Sequence, residues 1–416
     1  MLRTFGRAVI QTWPMVLTWF LAGWLAHAAL IRLAGWAGVY ESLWGLIILP
    51  LAVLAKLAGY VGMFLAVRPA MRHYQRLEAL ARAVPADEET APTAPRSFTR
   101  VWGSTIATGL IAFLVIYFTW GLIADDVIAY GRASWDQYDP DAVNRPLQVG
   151  LGVMSISFVV IAFGLRLLLG RFAARLPRWV GAITAYLEAA WLLTVGLALQ
   201  TMLAGVPEWF QTRRMIAWAI DGIAAIRESF SWFAAVGDVL AWVVGAVGEV
   251  VLLPLAWLAL AAIVFAQVLP RRTRRSSGRL SRIRESAATR WRRMPRPVRV
   301  LGTSLSSGLR ERWEPIATAL SLVWRNGPVK LGLYVAAFAA LTAGTQWLYG
   351  LIYRLLGPHE TGWWIGMSDP IVLLVSAITV PLQFMLVAAA FDASLASLDD
   401  QVVSADEELA EVLPES

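Results

Sequence analysis

The chain has 416 residues, of which 58% are hydrophobic and only 16% are charged, and its formal net charge at pH 7 is +7. A soluble globular domain usually carries about 25% charged residues, so this composition excludes an ordinary soluble protein and indicates an integral membrane protein. The absence of cysteine excludes disulfides, thiolate nucleophiles, cysteine-ligated zinc and iron–sulfur clusters. The three histidines fall in different segments, and we therefore expect no metal, haem or other cofactor.

Eight apolar segments are long enough to cross a bilayer. A crossing needs roughly 20 apolar residues to span about 30 Å of hydrocarbon, and each must be a helix because lipid offers no partners to backbone polar groups. The predicted spans are approximately 9–33, 44–67, 103–124, 148–169, 180–204, 248–268, 330–354 and 370–394. The first is too long for the core of a cleaved signal peptide, so we interpret it as an uncleaved helix.

Arginine is distributed unevenly among the loops. Arginines precede the first span and follow the second, fourth and sixth spans, whereas the loop 125–146 after the third span is acidic. Because basic residues collect in cytoplasmic loops, the pattern predicts an all-α bundle of about eight transmembrane helices with both termini in the cytoplasm. The predominance of arginine over lysine is typical of a GC-rich bacterium, which places the protein in a plasma (inner) membrane.

The segments between the spans complete the organisation. In 208–247, isoleucine and phenylalanine recur at intervals of three and four, which predicts an amphipathic helix on the outer membrane surface; a re-entrant segment near 232–247 is the alternative, and a ninth span would break the charge alternation. Residues 69–84 predict a short amphipathic helix. The predicted parts are a first transmembrane hairpin (1–69), a cytoplasmic amphipathic helix and linker (70–100), a second hairpin (101–170), a third hairpin (171–269), a basic cytoplasmic loop (270–328), a fourth hairpin (329–397) and an acidic disordered tail (398–416).

Two segments have nearly the same sequence. Residues 49–55 read LPLAVLA and residues 253–259 read LPLAWLA, and both belong to spans predicted to run from outside to inside. If the likeness reflects a duplication, spans 1–4 match spans 5–8 in a parallel repeat, an architecture that many transporters share. The alternative is that leucine, proline and alanine recur by chance in a membrane protein rich in these residues.

A few charged residues lie within the predicted spans. Lys56 lies near the middle of the second span and Glu188 near the middle of the fifth, while Glu249 begins the sixth. Charges inside a membrane are costly, so they face protein or water rather than lipid. One hypothesis pairs Lys56 with Glu188 across the bundle, as a buried ion pair or as a coupling site for protons or ions. The alternative is that each side chain reaches an interface or caps a neighbouring carbonyl.

The basic loop predicts a contact with lipid. Each basic residue close to an anionic membrane surface contributes about 1 kcal/mol to binding. The candidate headgroup contacts are Arg271, Arg272, Arg274, Arg275, Arg292 and Arg293. We therefore expect membrane lipids, including anionic headgroups, and a protein in the membrane as partners, and no nucleic acid.

Motifs of enzymes are missing from the sequence: it has no Walker motif, no HExxH and no GxSxG. We therefore expect a non-enzymatic scaffold or accessory subunit of a cell-envelope or transport complex. One alternative is a secondary transporter or lipid-handling permease that uses Lys56 and Glu188. A second alternative is a membrane enzyme acting at the outer face, in which Asp125, Asp126 and Asp136 would converge on a metal.

Overall fold

The computed structural model describes seven longer stretches of the chain together with shorter pieces and single positions. The stretches are 1–40, 42–83, 121–136, 153–172, 180–204, 248–266 and 328–412. The shorter pieces are 116–119 and 235–240, and single or paired positions lie between 110 and 114, at 177 and between 214 and 245. Regular structure in these residues is helical throughout, without a strand.

The α-helices in the described stretches are α1 (Leu2–Tyr40), α2 (Ser42–Val67), α3 (Arg72–Ala83), α4 (Leu122–Trp135), α5 (Val153–Arg171), α6 (Val180–Ala204), α7 (Leu253–Ala266), α8 (Pro328–Leu356) and α9 (Thr361–Val412). A 3-10 turn at Arg68–Ala70 joins α2 to α3, and a π-helical turn at Gly248–Leu252 precedes α7.

Several of these helices are suited to a bilayer. Among the described residues, five helices are long and apolar enough to cross a membrane: Leu2–Tyr40, Leu43–Ala70, Val180–Leu203, Val329–Leu356 and Thr361–Ala396. The prediction of an all-α protein with several membrane-spanning helices is therefore supported. The number of eight spans, the orientation and the 4+4 repeat stay predictions, and the spans at 103–124, 148–169 and 248–268 are not among the five.

The third predicted span does not continue to residue 124. The described positions between 110 and 119 are helical, but Gly121 adopts a left-handed conformation with φ of +70°. Glycine enters this region without the steric cost that a side chain would impose. A new helix, α4, begins at Leu122 and runs through the first part of the segment predicted as an acidic outer loop.

The end of the chain also differs from its prediction. Helix α9 is continuous to Val412, where the sequence predicted an acidic disordered tail from 398. Alanine, leucine and glutamate are frequent in this segment and favour helix, and the first proline after them is Pro414. The basic segment 270–327 and most of 208–247 lie outside the described residues.

The two LPLA segments differ in local structure. Pro50 lies in the interior of α2, whereas Pro254 is the second residue of α7, which begins directly after the π-helical turn. A proline near the start of a helix costs little, while one in the interior removes a hydrogen bond. The likeness of the two sequences is therefore not matched by the same helical context.

The described chain divides into two compact units, and α1 and α2 contribute residues to both. Unit 1 consists of Met1–Leu21, Tyr60–Gly109 and Pro254–Ser416. Aromatic rings from α2, α3, α7 and α9 form its core: the Phe64 and Phe384 rings lie 4.6 Å apart, and Phe265 stacks on Phe391 at 5.2 Å. Such ring pairs stabilise a core beyond the apolar area that they bury.

A buried carboxylate ties three helices of unit 1 together. Asp392 of α9 is fully buried and accepts hydrogen bonds from the Thr4 hydroxyl at 3.3 Å and from the backbone N–H of Tyr74 at 3.0 Å. The first N–H groups of a helix have no acceptor within the helix, and Tyr74 is the third residue of α3. Asp392 therefore caps α3, the helix predicted at 69–84, and connects it to the start of α1.

Unit 2 consists of Ala22–Gly59 and Leu110–Leu253. Helices α1 and α2 approach closely within it, since a Cβ added to Gly23 would lie 2.8 Å from the Cα of Gly59. Small residues permit such backbone contact between membrane helices. Helices α5 and α6 pack side by side, with the rings of Phe163 and Trp191 5.2 Å apart.

Replacement of Asp392 by alanine should destabilise unit 1. The change leaves the Thr4 hydroxyl and the Tyr74 N–H without their buried acceptor, at a cost of about 1–3 kcal/mol for each unsatisfied group. We expect a lower midpoint of thermal unfolding in detergent. The control is Thr379→Val on the same helix, because the buried Thr379 hydroxyl bonds to Val375 of its own helix; an equal loss in both variants would contradict the role of Asp392.

Candidate functional site

Helix α4 directs one acidic side chain into unit 2. Asp126, Tyr130 and Ser134 recur every four residues, which places them on one face of the helix, and all three are buried. Only 4% of the Asp126 side chain is exposed, whereas the neighbouring Asp125 is exposed. The two adjacent aspartates therefore have opposite environments.

Three side chains contact the Asp126 carboxylate. His27 of α1 places its Nε2 atom 3.1 Å from Oδ1, and Lys56 of α2 places its Nζ atom 3.5 Å from the same oxygen. The Tyr117 hydroxyl donates a hydrogen bond to Oδ2 and accepts one from Lys56 Nζ at 3.1 Å. We call these four residues, which all belong to unit 2, the Asp126 cluster.

The Asp126 cluster is the kind of arrangement that makes a buried carboxylate tolerable. An unpaired ion in an apolar interior costs several kcal/mol. Here both carboxylate oxygens have donors, and a cation lies within 4 Å of Oδ1. Lys56 also lies over the Tyr117 ring, 5.0 Å from its centroid, a favourable position for a cation.

Two backbone carbonyls of α2 contact side chains of other helices. The Nδ1 atom of His27 lies 3.0 Å from the carbonyl oxygen of Ala52, and the Tyr186 hydroxyl donates to the carbonyl oxygen of Ile47 at 2.8 Å. Helix α2 thus offers backbone acceptors to side chains from α1 and α6.

The structure has two ion pairs in place of the predicted pair of Lys56 with Glu188. Lys56 faces Asp126, and Glu188 of α6 pairs with Arg166 of α5, with Nη2 of the arginine 3.2 Å from the carboxylate. Glu188 is buried, with 11% of its side chain exposed, against 19% for Arg166. The packing of α5 against α6 brings these two together, and the turn at Gly121 brings Asp126 to Lys56.

The sequence indicated Asp126 only as a candidate metal ligand beside Asp125 and Asp136, and it did not predict the contacts of Asp126 with His27 and Lys56. Asp126 follows an apolar run that stops at Asp125, and an acidic pair at the end of a span normally reads as solvated charge in a loop. Gly121 precedes this pair by only a few residues, but a single glycine in an apolar run does not by itself predict that a new helix begins. His27 stood in the first span without a partner that sequence alone could name.

The other predicted site residues either lie outside the described residues or do not form a site together. Glu249 lies in the π-helical turn before α7, and its side chain is outside the described residues. The arginines proposed to contact headgroups, all between 271 and 293, are also outside them. Asp125 and Asp136 are exposed while Asp126 points inward, so these three do not converge, and no group of three histidine or acidic side chains in the described ranges could hold a metal ion.

Replacement of Asp126 by alanine should destabilise unit 2 by about 3 kcal/mol, because removal of one partner of a buried ion pair leaves the other charge uncompensated. Asp126→Asn should cost less, since the amide keeps one oxygen for Tyr117. The matched control is Asp125→Asn, which removes an exposed charge and should change stability by less than about 0.5 kcal/mol. Thermal unfolding in detergent measures all three, and equal midpoints for the Asp125 and Asp126 variants would contradict the buried pairing.

No protein-family model matches the chain, and comparisons with curated proteins and with solved structures find no match either.

Proposed function

We propose that the protein is a secondary transporter or permease, and that the Asp126 cluster is its ion-coupling site. The observation that carries the proposal is a single buried carboxylate shared by His27 and Lys56 among apolar helices. Ionisable residues within a membrane bundle are rare and mark ion pathways, proton relays and counter-ions. The proposal retains Lys56 from the predicted transport site and replaces Glu188 by Asp126.

A contribution to the stability of the fold does not by itself explain why the protein contains such a cluster. Replacing a buried ion pair by well-packed apolar residues is often neutral or even stabilising. A bundle that only has to hold together would therefore lose little by having leucine at these positions. A transporter, in contrast, needs a charge that can change its partners during the cycle.

The two nitrogen partners of the carboxylate are less buried than the carboxylate itself. Side-chain exposure is 12% for His27 and 22% for Lys56, against 4% for Asp126. A coupling site must be reached by an ion, and the parts of His27 and Lys56 that lie outside the packing of the described helices support this requirement. We place the protein in a bacterial plasma membrane with both termini in the cytoplasm, and we propose that arginines 271–293 contact anionic headgroups.

Transport can be tested with the purified full-length chain in proteoliposomes. Imposed proton, sodium or potassium gradients would be combined with a panel of polar metabolites and of fluorescent lipid analogues. We expect gradient-driven movement of at least one compound class, with at least a tenfold lower rate in Asp126→Asn, because the carboxylate then loses its charge.

Asp125→Asn is the control for this assay, since it makes the same chemical change one residue away on the exposed side of α4 and should transport like the wild type. If the wild type moves no compound under any gradient, or if Asp126→Asn transports at the wild-type rate, the transport proposal fails.

A scaffold or accessory subunit is the second candidate function, and α8 is the observation that favours it. Large apolar side chains along α8 are strongly exposed, with values of 82% for Val329, 79% for Trp347 and 77% for Leu355. Exposed apolar faces of this kind suit lipid or a helix of another membrane protein. A partner on this face would make the protein part of a larger envelope or transport complex.

The scaffold candidate predicts a specific neighbour at α8. A photoreactive residue at position 347 should crosslink to one defined membrane protein in native membranes, and the same residue at Leu199 of α6, which is 52% exposed, should not. Crosslinking of both positions to lipid alone would count against the scaffold and leave the transport proposal in place.

A further inference from the structure

We infer that the contact between His27 and Asp126 is a binding site for a single exchangeable proton, which is released from His27 when Lys56 takes over the carboxylate. This deepens the proposed transport function, and rests on it, by naming the proton as the coupling ion. The contacts of the histidine ring support this inference.

Both ring nitrogens of His27 face oxygen atoms. Nδ1 lies 3.0 Å from the carbonyl oxygen of Ala52, and Nε2 lies 3.1 Å from Oδ1 of Asp126. A peptide carbonyl can only accept a hydrogen bond, so Nδ1 must carry a hydrogen. A neutral imidazole has one N–H, and in that form the lone pair of Nε2 would point at the carboxylate oxygen.

The contact of His27 Nε2 with Asp126 Oδ1 therefore needs a second proton, either on Nε2 or on the carboxyl group. The hydrogen-bond partners of Asp126 decide which of these two groups carries it. Lys56 lies against Oδ1 and the Tyr117 hydroxyl donates to Oδ2, so each oxygen already has a donor other than His27, and an ionised carboxylate is an acceptor at both oxygens. The proton consequently resides on Nε2, and His27 is an imidazolium in this arrangement.

Two cations share one oxygen in this state. Nε2 of His27 is at 3.1 Å from Oδ1 and Nζ of Lys56 is at 3.5 Å from the same atom, so the histidine holds the shorter contact. Among the described residues, the remaining titratable neighbour of the carboxylate is Tyr117, which bonds to Oδ2. Arg166 and Glu188, on α5 and α6, pair with each other, and Asp125 on α4 is exposed.

The release step follows from this geometry. The N–H bond at Nε2 breaks, the proton passes to water, and the electron pair stays on the nitrogen, so that the imidazole becomes neutral. Nδ1 keeps its hydrogen on the Ala52 carbonyl, and Asp126 remains a carboxylate. The charge of the cluster falls by one unit, and Lys56 becomes the cation that neutralises Oδ1.

This exchange changes which helices are linked. With the proton bound, charged contacts join α4 both to α1, through His27, and to α2, through Lys56. After release, the contact of α2 with α4 through Lys56 and Asp126 is the remaining ion pair. The proton thus biases unit 2 between two sets of helix contacts, which is what a coupling ion must do.

Nitrogen NMR of the histidine ring tests the inference directly. Full-length protein labelled with ¹⁵N-histidine would be placed in lipid nanodiscs and titrated between about pH 5 and pH 8, where histidine changes charge. The chain has only His27, His73 and His359, and loss of signals in His27→Gln identifies the first. If that variant does not fold, His73→Gln and His359→Gln identify the other two.

We expect His27 to carry hydrogen on both nitrogens at the acidic end, and to lose it from Nε2 alone as the pH rises. In Asp126→Asn, half-protonation of His27 should require about a tenfold higher proton concentration, because an opposite charge within about 4–6 Å favours the cation. Lys56→Gln should have the opposite effect, and Asp125→Asn should match the wild type.

A His27 ring with a single N–H throughout the titration would overturn the inference, and so would an Asp126→Asn variant that titrates like the wild type. The NMR experiment needs no transported compound. If the expected titration is seen and the proteoliposomes move nothing, the proton site stands and the transport function fails; if transport is seen without the titration, the coupling ion is not this proton.

Discussion

A carboxylate buried among apolar helices is the constraint on which the arrangement of unit 2 depends. Asp126 has 4% of its side chain exposed, and such an ion is stable only with charge partners and donors close by. His27, Lys56 and Tyr117 supply them from α1, α2 and the helical segment before Gly121. The polar contacts thus specify which faces of these helices meet, a task that apolar packing performs less selectively.

Unit 1 uses a buried carboxylate for a different purpose. Asp392 accepts hydrogen bonds from the Thr4 hydroxyl of α1 and from the Tyr74 N–H in the first turn of α3. It therefore fixes the start of the short helix α3, where N–H groups have no acceptor within the helix. The surrounding aromatic rings provide the packing. Asp126, in contrast, has a histidine and a lysine on one oxygen. That difference in partners is why only the Asp126 cluster is proposed to exchange an ion.

The fold class could be predicted from the composition, because a chain with 16% charged residues can bury its long apolar segments only in a bilayer. Helix α3 was accessible from its pattern, since the buried Tyr74 and Leu77 alternate with exposed polar residues. The break at Gly121 could not be predicted from the sequence, because an isolated glycine within an apolar run is usually tolerated in a membrane helix. The end of α9 was predicted to be disordered, because its acidic composition was given more weight than its high helix propensity.

Sequence by itself determined that several helices are apolar enough to cross a membrane and that Lys56 and Glu188 are charges lying within such segments. Hydrophobicity and charge are properties of each segment alone, which is why they can be read from the chain. Tertiary structure decided the partners: Lys56 with Asp126, and Glu188 with Arg166. Those pairings depend on where a helix breaks and which face it turns inward, and both are settled only when the helices pack against one another.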